Sequence, residues 1–420
     1  MTVAKEIRRF LNRHFGDAAS LQDVPMRAKL ARRLFKNRFP ILPLVGHIKV
    51  ADEVAELAGA SICLVATPTP YGGTPDIAER QRSPLKARLF KNVIAGTCSA
   101  ALVKDRQVAI PEYYLESDKR IVFDQRFLLW YGAEKRGLVK LRHRRFEQRP
   151  SGISLFGSGT YNWYHWLIEQ LPAAYLAEQL GPEFKDLPFI IPEEIADKPS
   201  FRESLALFTK GRAVETLGSE QCRFENLLVL DVPIEEPVNM AYGAWPEAND
   251  YAFNADVMRG YREAILDRLG IEKRRPERRI FLARRHGRRS YNQDDALKVA
   301  ARFGVEPVYP EDMTFKEQVQ MMHDATYVVG PSGAAFATTL FCQPGTQLLS
   351  WLLEPYRGFC SYTNLATIAG TQIHYIFTPS DQVIHSTSEA FTATYELNLK
   401  LFEDALEGIT QSAVSTANIQ

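Results

Sequence analysis

The sequence predicts an α/β protein with two Rossmann-like halves that face each other across a cleft. The observations behind this are a length of 420 residues, a hydrophobic fraction of 45%, and apolar strands that alternate with amphipathic helices from residue 151 onward. Such a chain can bury more than one core. No fixed-period repeat is visible, which excludes solenoid and propeller folds.

The alternation divides at a charged, proline-containing stretch, residues 272–279. The elements predicted before it are strand 153–156, helix 161–179, strand 189–191, helix 201–210, strand 226–230 and helix 255–269. Those predicted after it are strand 280–283, helix 294–302, strand 305–309, helix 315–324, strand 326–329, helix 334–341 and strand 347–351. Ligands of such sheets bind beyond the carboxyl ends of the strands, so functional residues are expected there.

We therefore predict four segments: a helical extension (1–46), an N-terminal α/β domain (47–270), a C-terminal Rossmann-like domain (271–400) and a C-terminal helix or tail (401–420). Residues 47–150 contain β-rich runs whose pairing is not readable from the sequence.

Basic charge is concentrated at the amino terminus. The whole chain has 51 basic and 50 acidic residues, which gives no reason to expect a nucleic-acid partner. Residues 1–46 have ten basic residues against three acidic ones, a local net charge of +7, with apolar residues at helical spacing. The favoured interpretation is a solvated basic helix packed on the protein. Peripheral contact of residues 1–40 with an anionic membrane surface is the alternative.

The cysteines and the hydropathy pattern indicate in which cellular compartment the protein is expected. The five cysteines form no CxxC pair and are mostly embedded in apolar runs, so we expect buried, reduced thiols. Neither a signal-peptide core nor a stretch of about 18 apolar residues is found. A cytoplasmic location is expected.

The densest group of candidate functional residues lies in segment 157–172, where a Gly-x-Gly turn at 157–159 precedes a helix. At about 100° per residue, Asn162, His165 and Glu169 share one face of that helix. Glu169 would fix the imidazole tautomer and raise its basicity, as an orienting carboxylate does for a general base. A core histidine with satisfied hydrogen bonds is the structural alternative, but glutamate is rarely buried without a partner.

Two segments of the C-terminal half have the composition of anion-binding sites. The turn of residues 330–335 lies between a strand and a helix, where free N–H groups and Gly333 would admit a phosphate. A purely structural turn is the alternative. Segment 279–292 brings Arg284 and Arg285 to the carboxyl end of a strand, which suits a diphosphate. A solvated basic loop is the alternative here, and a nucleic-acid patch is disfavoured because aromatic residues are few.

Further residues and absences narrow the chemistry. Glu354 follows a predicted strand, where α/β sheets often present a carboxylate to ligand hydroxyls. The sequence contains no Asp-x-Asp, HExxH, GxSxG or GxxxxGK[ST] motif. Metalloprotease, serine hydrolase and P-loop functions therefore lose support, as does a metal clamp for a sugar nucleotide. The Gly-x-Gly turn is a weak dinucleotide fingerprint, because Asn162 stands at the third glycine position.

Taken together, the motifs resemble glycosyltransferase family 61, which includes capsular-polysaccharide biosynthesis proteins, xylosyltransferases and N-acetylglucosaminyltransferases. The resemblance runs from about residue 154 to 354 and rests on the order and spacing of several motifs. They are Asn162-x-x-His165-Trp166-x-x-Glu169-x-x-Pro172; Arg279-Ile280-x-x-x-Arg284-Arg285 followed by Asn292; Tyr309-Pro310-Glu311 with Phe315 and Gln318; Ala325; Gly330-x-x-Gly333-Ala334; and Pro344-Gly345-Thr346.

The resemblance implies a GT-B fold and inverting transfer of a sugar from a nucleotide donor to a glycan or glycolipid hydroxyl, without a metal or other cofactor. His165, Glu169 and Asn162 would form the catalytic group on the acceptor side. The donor would bind to the C-terminal domain through Arg284, Arg285, Asn292, Ser332, Gly333, Ala334 and Glu354. The expected setting is capsular, extracellular or lipopolysaccharide biosynthesis at the inner membrane face.

One departure from the family pattern leaves the donor open. The family usually has histidine where this chain has Ser332, and asparagine where it has Thr338 or Thr339. Two alternative functions are a nucleotide-dependent oxidoreductase or epimerase that uses the Gly-x-Gly turn, and a non-catalytic subunit that binds sugar nucleotides or polysaccharide.

Overall fold

The computed structural model describes residues 40–97, 99–116, 127–132, 135–141, 146–218, 221–237, 240, 243–285, 290–380, 382–390 and 393–417. Most of the predicted basic extension, Cys98, residues 286–289 of the arginine-rich segment and the end of the tail lie outside this part of the chain. Within it the protein is a mixed α/β structure with two large sheets. None of its helices is both long enough and apolar enough to cross a membrane.

The strands of the described residues are numbered in chain order. They are β1 Ile41–Gly46, β2 Glu53–Ala58, β3 Ser61–Ala66, β4 Thr69–Pro70, β5 Ile77–Arg82, β6 Leu85–Gly96, β7 Leu102–Lys104, β8 Gln107–Ile110, β9 Leu128–Gly132, β10 Arg136–Val139, β11 Glu147–Ser154, β12 Phe189–Pro192, β13 Val214–Leu217, β14 Gln221–Leu230, β15 Ile234–Glu235, β16 Ala252–Phe253, β17 Arg278–Leu282, β18 Glu306–Val308, β19 Ala325–Pro331, β20 Gln347–Leu353 and β21 Gln372–Thr378.

The helices are of three types. The α-helices are α1 Glu112–Glu116, α2 Trp163–His165, α3 Leu171–Leu176, α4 Glu193–Ala196, α5 Pro199–Thr209, α6 Ala255–Leu269, α7 Gln293–Ala301, α8 Phe315–His323, α9 Ser361–Ala369, α10 Thr387–Ala390 and α11 Leu399–Ala417. A π-helical stretch covers Trp166–Gln170. The 3-10 helices are His47–Lys49, Ala177–Gln179, Pro182–Phe184, Ala248–Asp250, Pro310–Asp312, Ala334–Phe341 and Glu354–Tyr356.

The larger sheet mixes parallel and antiparallel pairs in the order β13-β12-β11-β14-β6-β7-β8-β1-β10-β9, and β2 also pairs with β6. Its parallel part contains β11, which pairs with β12 on one side and β14 on the other. The chain passes from β11 through β12 to β13 and then returns to the opposite side of β11 as β14. The strand order therefore reverses between β11 and β14, and such a switch point opens a crevice beyond the carboxyl ends of the strands.

The smaller sheet has the order β18-β17-β19-β20-β21-β4, and every adjacent pair is parallel. Here the order reverses between β17 and β19, because β18 lies on the far side of β17. The edge strand β4 comes from residues 69–70, so the amino-terminal half of the chain completes the C-terminal sheet. The alternation predicted from residue 280 onward is confirmed in its order of strands and helices.

Local sequence signals explain why the predicted bounds of one helix are correct and why the predicted end of the amino-terminal extension is wrong. Helix α6 has its predicted bounds because Asn254 caps its first turn and Gly270 ends it with φ +59°. The helical extension predicted for 1–46 is wrong for its last six residues, which form β1. Pro43 disfavours a helix interior, and the neighbouring Leu42 and Leu44 are buried in the pleated pattern of a strand.

A continuous apolar core extends through both sheets. It includes Trp166 and Ile153 on one side and Phe281 and Trp351 on the other. The domain boundary near residue 270 stays a prediction, since this core is shared by residues on either side of it. Four of the five cysteines belong to the described residues, and they are buried and free as predicted: Cys63, Cys222, Cys342 and Cys360.

Candidate active site

A short glycine loop follows β11 and lies against the helix behind it. The hydroxyl of Thr160 accepts from the N–H of Gly157 at 2.7 Å and donates to the carbonyl of the same residue at 2.8 Å. Gly159 has φ +75°, and a Cβ there would lie 2.5 Å from Cδ2 of His165. Glycine is required at this position by both its conformation and the approaching imidazole. The N–H of Gly157 is occupied by Thr160, which weakens the dinucleotide interpretation of this turn.

The helix after the loop, residues 163–179, is called the histidine helix. It starts as α2, widens into the π-helical stretch and continues as α3 and the 3-10 turn Ala177–Gln179. The side chain of Asn162 accepts from the N–H of Tyr164 at 2.9 Å, so Asn162 acts as the helix cap. A π-helical turn is uncommon and often marks a functional site. Here it begins directly after His165.

His165 and Glu169 form the pair that their spacing predicts. Nδ1 of His165 lies 2.7 Å from Oε1 of Glu169. The imidazole is 19% exposed and the carboxylate 9% exposed. With the proton of Nδ1 donated to Glu169, Nε2 is the ring nitrogen left to act on a ligand.

Sequence reasoning missed a second carboxylate, Glu236. Its Oε2 accepts from the hydroxyl of Tyr164 at 2.8 Å and from that of Ser361 at 2.7 Å, and its Oε1 lies 3.9 Å from Nδ1 of His165. No motif marks Glu236. It comes directly after the short strand β15, in the connection that leaves β14. Because β14 lies beside β11 at the switch point, the strand order brings this connection close to His165. We call His165, Glu169 and Glu236 the histidine cluster.

The electrostatics of the histidine cluster favour bound protons. Burial lowers the pKa of His165, but the charge and hydrogen bond of Glu169 and the charge of Glu236 outweigh it and raise the pKa to about 9. Burial and the charge of Glu169 raise the pKa of Glu236 to about 8, although His165 and the hydrogen bonds from Ser361 and Tyr164 act to lower it. Near neutral pH the cluster therefore holds more protons than the same groups would in water.

The same three residues offer the donor atoms of a metal site, since one ligand atom of each lies within 4.8 Å of the others. Atoms bound to one metal at about 2.1 Å would stand about 3 Å apart at right angles and about 3.4 Å apart in a tetrahedron. The 2.7 Å contact of His165 with Glu169 is shorter than this, and the 3.9 Å separation from Glu236 is longer. The spacing is that of a hydrogen-bonded cluster.

A cationic group lies at the other switch point. The guanidinium of Arg284, which follows β17, donates from Nη2 to the carbonyl of Ser332 at 2.5 Å. The side chain of Gln293 holds the backbone of Arg284 at both its N–H and its carbonyl, at 3.0 and 2.8 Å. A Cβ on Gly333 would lie 2.2 Å from Nη2. The structure thus brings Arg284, Ser332 and Gly333 together, and Ala334 starts the 3-10 helix behind them.

We call Arg284 together with residues 332–334 the arginine turn, and this turn is linked to the histidine helix. Helix α2 packs against the 3-10 helix Ala334–Phe341. The ring of Tyr362 lies 5.7 Å from that of Tyr164 and 5.6 Å from that of Phe336, between ring centroids. The two candidate groups are therefore carried by elements in direct contact.

The other predicted donor residues have protein partners of their own. Arg285 forms an exposed ion pair with Asp312 at 2.5 Å. The amide of Asn292 exchanges two hydrogen bonds with the backbone of Leu397, at 3.0 and 2.8 Å, which is a structural role. Glu354 forms an ion pair with Arg357 at 2.7 Å. Within the described part of the chain, these hydrogen bonds and ion pairs of Arg285, Asn292 and Glu354 go to residues outside the arginine turn.

Comparison with known proteins relates the residues of this site to a known family. Residues 163–349 match the family model described as Glycosyltransferase 61. The matched segment contains His165, Glu169 and the whole arginine turn, and the match confirms the resemblance carried by the sequence motifs. A search of curated proteins found no significant match.

Proposed function

Residues 163–349 match the model of glycosyltransferase family 61, and from that match we propose that the chain is an inverting enzyme of this family. It moves a sugar from a nucleotide-sugar donor to a hydroxyl of a glycan or lipid-linked glycan, in the synthesis of a capsular or other extracellular polysaccharide or of lipopolysaccharide. The two sheets are proposed to form the halves of a GT-B arrangement. The presence of a candidate group at the switch point of each sheet supports this.

The observation that carries the proposal is the hydrogen bond between His165 and Glu169. It fixes the ring so that Nε2 has a free electron pair whenever the imidazole is neutral, which is the minor state near neutral pH because the pKa of His165 is raised to about 9. An acceptor hydroxyl next to Nε2 gives its proton to the ring while its oxygen attacks the anomeric carbon of the donor sugar. The new imidazolium is stabilised by the Glu169 carboxylate, as in other histidine-carboxylate pairs.

The arginine turn is proposed to act on the leaving group. As the bond from the acceptor oxygen to the anomeric carbon forms, the bond from that carbon to the diphosphate breaks, and the nucleoside diphosphate leaves with the electron pair. Arg284 and the N–H groups at the start of the 3-10 helix Ala334–Phe341 neutralise the charge that develops there. Metal independence stays a prediction, which activity in the presence of EDTA would support.

We also propose that the reaction takes place on the cytoplasmic side of the membrane, with residues 1–40 in peripheral contact with it. The local net charge of +7 in residues 1–46 supports this. Co-sedimentation of the full chain with anionic vesicles, and loss of binding after deletion of residues 1–40, is the expected result. Equal binding of both chains would contradict it.

The activity itself is tested by nucleotide release from a panel of nucleoside diphosphate sugars, with and without saccharide acceptors. We expect His165→Ala to lower kcat by about 10² to 10⁴-fold, because the reaction loses its general base. The exposed His385 offers a matched control, and His385→Ala should leave turnover unchanged. Near-wild-type turnover of His165→Ala, in protein that retains its fold by circular dichroism, would refute the role of the imidazole.

A further inference from the structure

We propose that Glu236 is a positioning residue of the histidine cluster that carries a proton in the resting protein, and that this neutral carboxylic acid keeps His165 available as a base. The inference rests on the proposed function, since it assigns a purpose to a residue of the same site. Glu236, in the connection after β14, would be a second carboxyl group that acts on the imidazole of the histidine helix.

The geometry leaves Glu236 without a cation. One imidazole can neutralise one carboxylate, and the 2.7 Å contact assigns His165 to Glu169. Oε1 of Glu236 lies 3.9 Å from the same nitrogen, which is too far for a hydrogen bond. Among the described residues no lysine or arginine forms an ion pair with Glu236, whose side chain is 6% exposed. A buried carboxylate without a cationic partner is costly, and uptake of a proton removes that cost.

Four described groups that lie near the cluster, three tyrosines and one serine, are neutral. Tyr164 and Ser361 donate their hydroxyls to Oε2 of Glu236. Tyr251 lies close to Glu236, and burial followed by the charges of Cys360 and Glu236 raises its pKa well above the usual range. Burial, Tyr114 and the charge of Glu169 do the same to the pKa of Tyr113 on α1. None of these groups supplies a positive charge near neutral pH, and all remain protonated.

The positions of the hydrogen bonds also locate the proton. Because Oε2 accepts from two hydroxyls, the carboxylic-acid proton belongs on Oε1, the oxygen that faces His165. While Glu236 is neutral, the imidazole interacts with a single negative charge, that of Glu169. Ionisation of Glu236 would add a second negative charge at 3.9 Å and hold the proton on the imidazole more firmly. The pKa of Glu236, raised to about 8 by burial and by Glu169, agrees with a neutral acid at pH 7.

The test uses Glu236→Gln in the full chain, because glutamine keeps the size and neutrality of the acid and cannot ionise. Infrared spectra at pH 7 should show a carboxylic-acid carbonyl band in the wild type that is absent from Glu236→Gln. An NMR titration of the His165 ring nitrogens should shift to lower pH by about one unit in the variant, because the second negative charge can no longer form. A band that persists in the variant, or identical titrations, would overturn the proposal.

The adjacent Glu235 is the matched control. It pairs with Arg82 at 2.8 Å instead of with the histidine cluster, so Glu235→Gln should leave both spectra unchanged. Neither measurement requires turnover, so their outcome is separable from that of the His165→Ala assay. If the infrared band and titration behave as expected while His165→Ala stays active, the proposed function fails and the proton assignment stands.

Two further observations keep the proposal falsifiable if Glu236→Gln does not fold. Tyr164→Phe and Ser361→Ala each remove a donor that favours the ionised form, so the carboxylic-acid band of each should persist to higher pH than in the wild type. A band lost at lower pH in both would contradict the assignment.

When acceptor turnover is measured, the same variant gives a kinetic signature. The acidic limb of the kcat/KM profile should move to lower pH in Glu236→Gln. Glu236→Ala, which leaves the hydroxyls of Tyr164 and Ser361 without their acceptor, should be less active and less stable. A profile of unchanged shape in Glu236→Gln would indicate a merely structural residue and overturn the proposal.

Discussion

The glycine loop and the arginine turn use glycine for the same purpose in different ways. In both, a Cβ would collide with the side chain that gives the region its chemistry: 2.5 Å from the ring of His165 at Gly159, and 2.2 Å from the guanidinium of Arg284 at Gly333. Gly159 also has φ +75°, whereas Gly333 has φ 176°, which any residue adopts. In both regions glycine lets the side chain that we propose to be functional approach the backbone, and the conformation of Gly159 additionally disfavours other residues at that position.

The two regions differ in charge. The imidazole of the histidine cluster faces two carboxyl groups and the hydroxyls around them, whereas the guanidinium of the arginine turn donates to the backbone carbonyl of Ser332. The first arrangement favours uptake and release of protons, and the second favours attraction of an anion. The following variants test whether the histidine cluster exchanges protons and the arginine turn binds an anion.

The largest effect is expected from Gly159→Ala. The new methyl group displaces the imidazole, and a displacement of about 1 Å at a catalytic group can lower kcat about a hundredfold. Backbone strain adds about 1 kcal/mol or more of destabilisation. Gly211→Ala is the control, since Gly211 has φ +84° and no atom within 4 Å of its Cβ position. It should lose similar stability in a denaturant titration and keep its kcat, and an equal loss of kcat in both would show that strain alone is responsible.

A smaller effect is expected from Gly333→Ala, because the backbone tolerates alanine and the guanidinium end of Arg284 is flexible. We expect the KM for the donor to rise about tenfold, which corresponds to about 1.4 kcal/mol, with little change in kcat. Isothermal calorimetry with a nucleoside diphosphate checks the loss of binding. Gly59→Ala, with its nearest neighbour 4.0 Å away, is the control, and unchanged diphosphate binding by Gly333→Ala would argue against the arginine turn as the donor site.

The smallest effect is expected from Arg285→Ala. Arg285 is 52% exposed and already paired with Asp312, and pairs of this kind contribute about 0.2 to 1 kcal/mol. Its KM for the donor should change less than about threefold, while Arg284→Ala should lose donor binding. Equal losses in the two variants would mean that Arg285 leaves Asp312 when the donor binds.

Much of the fold from residue 151 onward was predictable because its signals are local. The apolar runs, the caps of α6 and the His165-Glu169 spacing are each contained in a short stretch. The strand pairing within residues 47–150 could not be predicted, because strands such as β1 and β8 are parallel neighbours that lie far apart in sequence. The position of Glu236 beside His165 could not be predicted for the same reason. The sequence likewise does not show that Asp312 and Leu397 bond to Arg285 and Asn292, and the donor role of these two residues stays a prediction.

The shared apolar core has a mechanical consequence. Trp163 at the start of the histidine helix lies between Phe201 of α5 and Phe315 of α8, with ring centroids 5.0 and 5.7 Å away. One aromatic side chain therefore contacts helices from both halves of the chain next to the proposed chemistry. Wide hinge opening would break these contacts and expose the rings to water. We therefore expect the histidine helix and the arginine turn to keep their relative positions, with the two halves of the core joined.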